Sequence, residues 1–113
     1  MQPIRVLKIG GTPFDMGFQH GLAFADEIRT LTNERVTLSM SQSWTGRAFS
    51  RHEVLSLAQQ MIDDHGNYAP ELLEELEGIS RATGLSLPEL VIANGFTDFV
   101  DVVYNHGEKV FAP

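Results

Sequence analysis

Gly10-Gly11-Thr12-Pro13-Phe14-Asp15-Met16-Gly17-Phe18-Gln19-His20-Gly21 is the stretch that decides how this chain folds. It reads as a turn that becomes a helix. The glycine pair permits a tight turn. Thr12 suits the N-cap, where its hydroxyl accepts a bond from an otherwise orphan amide. Pro13 falls at the first helical position, where a missing N–H costs nothing. Asp15, three residues after Thr12, completes a capping-box pattern, and its charge suits the positive helix start. Phe14, Gly17, Phe18 and Gly21 share one helical face. Two rings and two bare glycines on one face allow a neighbouring backbone to come close. A double glycine before a helix also invites phosphate. Here, however, there is no Lys-Ser/Thr pair and no G-x-G-x-x-G spacing, so the stretch reads as a strand-to-helix corner.

Working outward, residues 4–9 before the corner read as a short strand, apolar at most positions and suited to cover on both faces. A lone strand cannot satisfy its own N–H and C=O groups, so it needs a sheet that this chain does not supply. After the corner, the pattern predicts one long helix over 13–44. Its apolar stripe runs through Phe14, Phe18, Gly21, Ala25 and Ile28, and more loosely through Leu31, Arg35 and Leu38, with Gly46 as the stop.

Three more helices are expected. The second, over 50–65, opens on the capping box Ser50-Arg51-His52-Glu53 and carries Val54, Leu57, Ala58, Met61 and Ile62 inward, with Gly66 at its end. The third, over 69–83, turns Leu72, Leu73, Leu76 and Ile79 inward and ends at Gly84. Gly78 inside it costs roughly 1 kcal/mol relative to alanine, which a close helix crossing would explain. The fourth, over 87–105, starts at a further capping box, Ser86-Leu87-Pro88-Glu89, and is apolar on most sides. Residues 106–113 form a tail. The fold class is therefore α+β: one N-terminal strand followed by about four helices in a single unit, 1–113.

A chain of 113 residues buries one modest core, and 42% hydrophobic with 20% charged residues is ordinary for a globular protein. A net charge of −7 argues against nucleic acid and against an anionic membrane as partners. With no cysteine there is neither disulfide nor thiolate chemistry within this chain. The N-terminus has no signal-peptide pattern and no apolar run spans a bilayer, so the expected residence is cytoplasmic.

Chemistry is sparse. His20, His52, His65 and His106 lack the spacing of a helical zinc site, and no metal or cofactor is expected. His20 reads as a structural residue bonding a backbone carbonyl near the first turn. Ser50 and Ser86 read as caps, and Glu71, Glu74, Glu75 and Glu77 as a solvated face. Asn94, Thr97, Asp98 and Asp101 are polar groups in an otherwise apolar helix and need partners. Either they bond to a neighbouring layer or they line and brace an active site, with Phe99 as a packing or pocket residue.

The opening motif resembles the N-terminus of the acyl-coenzyme A:isopenicillin N acyltransferase family, which belongs to the N-terminal-nucleophile (Ntn) hydrolases. Its pattern G-T-P-F-x-x-G-x-x-H-G is met by Gly11, Thr12, Pro13, Phe14, Gly17, His20 and Gly21. A second block, Glu77-Gly78-Ile79-Ser80 through Leu90-Val91-Ile92-Ala93-Asn94 to Thr97-Asp98-Phe99, resembles the family's second helical block in order and spacing. The resemblance implies a precursor that cleaves itself before a cysteine. This chain would be the α subunit, in obligate complex with the β subunit from the same precursor. The fold implied is a four-layer αββα sandwich, to which this chain gives one strand and most of one helical layer. The implied nucleophile is the cysteine heading the β subunit, the substrates small amides or acyl thioesters, and the cleaved end Pro113. Family members usually cleave between glycine and cysteine, so Ala112-Pro113 departs from the pattern. The other reading is a non-enzymatic interaction or regulatory module, because four amphipathic helices with short turns form a bundle unaided.

Overall fold

In a computed structural model, residues 8–46, 48–65, 70–96 and 99–100 are described. Among them the fold is helical: α1 (Pro13–Ala23), α2 (Ala25–Ser39), the single turn α3 (Gln42–Thr45), α4 (Arg51–His65), α5 (Pro70–Thr83) and α6 (Leu87–Asn94). No strand occurs among the described residues. Lys8, Ile9 and Gly10 carry no regular structure, and the remainder of the strand expected over 4–9 lies outside the described residues. The tail 106–113 and the end of the helix expected over 87–105 lie outside them as well.

Local sequence sets the helix starts. Thr12 Oγ1 accepts from the Asp15 N–H (3.1 Å), and the Thr12 N–H donates to Asp15 Oδ2 (3.2 Å). Ser50 and Glu53 exchange the same two bonds at 3.1 and 2.9 Å. Ser86 and Glu89 do so at 3.3 and 3.0 Å. Gly11, at φ +101°, makes the turn into α1, and Gly84, at φ +78°, closes α5.

The helices pack in two groups. The first is α1 against α5, and glycine makes it possible. A Cβ on Gly17 would lie 1.9 Å from the Glu75 carbonyl oxygen, and one on Gly78 would lie 2.1 Å from the Phe14 carbonyl oxygen. A Cβ on Gly21 would lie 2.7 Å from the Ala82 side chain. The two helices therefore touch backbone to backbone, with Phe14 and Phe18 stacked on α1 at 6.4 Å. The second group surrounds the apolar core of Val36, Phe49, Val54, Leu57, Ala58, Ile92 and Phe99, contributed by α2, α4, α6 and adjoining residues. One arginine of α2 ties the two groups together, and a second holds α2 to α6 within the core group. Arg29 Nε donates to the Thr83 carbonyl (2.9 Å) and Arg35 Nη1 to the Ala93 carbonyl. These are last-turn carbonyls, which lack helical partners and carry the negative end of the dipole. The molecule is only 20 Å through its shortest dimension, about two helix diameters.

Three expectations are corrected here. The single helix over 13–44 is interrupted at Phe24 (φ −125°, ψ 27°) and again at Met40–Ser41. The first part lies on α5, while the second faces the core, and one straight rod does not serve both. The interruption shifts the stripe. Thr32, Val36 and Ser39 are buried, whereas Leu31 and Leu38 are 44% and 38% exposed. Leu72, expected inward on α5, is also exposed, because contact with α1 runs through Gly78 and its neighbours. Finally, the helix that begins at Leu87 is interrupted at Gly95 (φ −124°, ψ 48°), although Phe99 N–H still donates to the Gly95 carbonyl at 2.8 Å.

Candidate functional site

Of the residues singled out in the sequence, His20 and Asn94 come to one groove, and Phe99 lies in the core. Asn94 ends α6 and is exposed, at the rim of that groove. Phe99 is 0% exposed and belongs to the core, so it packs rather than lining a pocket. Thr97, Asp98, Asp101 and Pro113 lie outside the described residues. His20 is half-buried and rests against the Phe24 ring at 5.4 Å. The backbone bond expected of it near the first turn is made by its neighbour. Gln19 Nε2 donates to the Gly10 carbonyl (2.9 Å), and the Gly10 N–H donates to Gln19 Oε1 (3.2 Å).

The hydroxyls have structural duties. Ser50 and Ser86 cap helices. Ser39 Oγ donates to the Val36 carbonyl (2.6 Å), Ser80 Oγ to the Leu85 carbonyl (2.6 Å) and Thr83 Oγ1 to the Ile79 carbonyl (2.8 Å). A hydroxyl spent on a carbonyl is a poor nucleophile without a base to take its proton. Among the described residues no three His, Cys, Asp or Glu side chains gather as a metal site. No helix among them is long and apolar enough to cross a membrane.

One side-chain cluster stands apart from these duties. A groove of about 290 Å³ opens between α1, α2, α5 and α6. Its polar lining is His20, Thr32, Arg35 and Asn94, and its apolar walls are Ile28, Leu31, Leu76, Ile79, Leu90 and Ala93. Thr32 is 0% exposed and its Oγ1 has no hydrogen-bond partner. Arg35 lies over the Phe96 ring, 5.7 Å from its centre, while holding the Ala93 carbonyl. Sequence reasoning placed Arg35 in the apolar stripe but did not single out Thr32. The available signal was a guanidinium one turn after a threonine on an inward-facing line, which puts both on one face.

The charged link elsewhere is structural. Arg51 Nη2 pairs with Glu89 Oε2 at 2.6 Å and joins the starts of α4 and α6. Burial pushes the Glu89 carboxyl up, but bonds from the Ser86 backbone and hydroxyl, together with the Arg51 guanidinium, outweigh it. The net result lies below the ordinary value of 4.5.

Compared with protein-family models, curated proteins and solved structures, the chain gives no match.

Proposed function

We propose that this chain is the α subunit of a self-processed N-terminal-cysteine amidohydrolase or acyltransferase, acting on a small-molecule amide or acyl thioester. The observation that carries the reading is the glycine crossing. The two sequence blocks that bear the family resemblance lie at opposite ends of the chain, yet Gly17 of the first and Gly78 of the second meet at one backbone contact. Thr12, Pro13, Gly17 and Gly21 each have a definite place in α1 or its contact with α5. The motif is thus a packing motif, consistent with a family whose chemistry sits on the other subunit.

Exposed apolar side chains also support a partner. Leu22 is 58% exposed, and Leu31, Leu38 and Leu72 lie open as well. An obligate subunit interface, above about 2,000 Å² in total, would cover such a surface. On this reading the strand over 4–9 joins the partner's sheet within an αββα sandwich, and the complex is cytoplasmic. The cysteine heading the β subunit attacks the substrate carbonyl, its α-amino group serving as base near its ordinary pKa of about 7.7–8.0. The amine or thiol leaves, an acyl-enzyme forms, and water or an amine takes the acyl group. In maturation, the same thiol attacks the carbonyl of the residue before it, the cysteine's peptide nitrogen takes a proton and leaves, and water opens the resulting thioester.

The test is denaturing mass spectrometry on the product of the complete gene. The expected result is a first chain that contains this sequence, bound to a second chain that begins with cysteine, and a single uncut, inactive polypeptide when that cysteine is replaced by alanine. Cleavage of the alanine variant at the same place would assign the cut to an outside protease. Recovery of this chain as a monomer with a sharp, cooperative melt would favour the independent helical module instead.

A further inference from the structure

We propose that the groove between α1, α2, α5 and α6 binds a small monocarboxylate with an apolar tail, its carboxylate held by the Arg35 guanidinium and the Thr32 hydroxyl. This inference does not rest on self-processing or on the identity of any partner chain.

Three observations meet in the groove. The Thr32 hydroxyl is buried without a partner, and a buried hydroxyl left so costs about 1–3 kcal/mol. Natural interiors rarely carry that cost without a use for it. Arg35 stands one turn further along the same face of α2, since residues three apart are neighbours on a helix. Its bond to the Ala93 carbonyl occupies one of its five N–H donors, and among the described residues no carboxylate pairs with it. That is notable in a chain of net charge −7. The rest of the groove is hydrocarbon from Ile28, Leu31, Leu76, Ile79 and Leu90. A volume of about 290 Å³ sits at the small end of ligand pockets.

The chemistry selects the ligand class. A planar guanidinium beside a hydroxyl donor matches the two oxygens of a carboxylate. A phosphate fits less well. The site offers one fixed cation, and it lies at the C-terminal end of α6, whose dipole opposes a second negative charge. An amine is opposed by Arg35 itself. The apolar walls then take an aliphatic tail and bury it.

The experiment is isothermal titration of the complete gene product with sodium octanoate, alongside octylammonium and inorganic phosphate. Octanoate should bind saturably at one site per chain, and the other two should not. Thr32→Val replaces an unpaired hydroxyl by a methyl of similar shape. It should weaken octanoate about tenfold while leaving the thermal stability of the free protein unchanged or raised. Arg35→Lys keeps a cation but loses the fork, and should weaken binding at least as much. Absence of saturable octanoate binding overturns the proposal, as does equal binding of octylammonium. So does octanoate affinity unchanged in Thr32→Val, a variant whose folding does not depend on the hydroxyl and which therefore decides the matter even if Arg35→Lys unfolds.

Discussion

Replacing Gly17 by alanine sets two effects of opposite sign against each other. In an open helix interior the change gains roughly 1 kcal/mol, because alanine is the better helix former. In this fold the new Cβ would lie 1.9 Å from the Glu75 carbonyl oxygen and 2.8 Å from its carbon. Ordinary contact begins near 3.4 Å, so α1 and α5 must part by about 1.5 Å along that line. The obstacle is backbone, so no side chain can swing aside. Overpacking typically costs 1–3 kcal/mol and sometimes more, and a backbone clash belongs at the upper end. The net expectation is a loss of about 2 kcal/mol or more despite the propensity gain. Urea denaturation of the complete gene product, followed by far-UV circular dichroism, reads it as a drop in midpoint at unchanged slope. Gly10→Ala is the control, since its Cβ would meet nothing within 4 Å. Gly78→Ala should resemble Gly17→Ala, because its Cβ would meet the Phe14 carbonyl oxygen at 2.1 Å. The double variant should cost less than the sum, since the helices need part only once. Wild-type stability in Gly17→Ala would refute the backbone-to-backbone crossing, and with it the structural meaning given to the motif.

Two further outcomes are expected. Phe99→Ala removes a ring that is 0% exposed in the core and should cost about 3–5 kcal/mol, read by the same urea titration; a loss under 1 kcal/mol would contradict the core placement. Glu89 is held below its ordinary value of 4.5, so its contribution to stability is present above that value and fades as pH falls through the lower folded-state pKa. Glu89→Gln should flatten that acid limb of the stability–pH curve while changing the difference between pH 6 and pH 8 little, and an unaltered acid limb would remove Glu89 from the account.

Much of this fold was legible in order and spacing. Each of the three capping boxes, at Thr12, Ser50 and Ser86, lies within four consecutive residues, so its bonds follow from local sequence without any neighbour. The stop at Gly84 was readable for the same reason, and Gly78 announced a close crossing because an interior helix glycine needs a steric cause.

Tertiary structure alone decided the rest. The sequence did not say which backbone fills the slots at Gly17 and Gly21, because contact between α1 and α5 joins residues some 60 positions apart in sequence. It did not reveal the interruptions at Phe24 and Gly95, across which helical hydrogen bonding continues, nor that α1 lies on α5 while α2 faces the core. That arrangement buries Thr32 and exposes Leu31, and hydrophobicity alone ranks those two the other way. Asn94 likewise reached the rim of a groove because α6 is interrupted at the very next residue. Local bonds are written in neighbouring residues; which face of a helix is buried depends on its partners, and an interruption of one residue reassigns it.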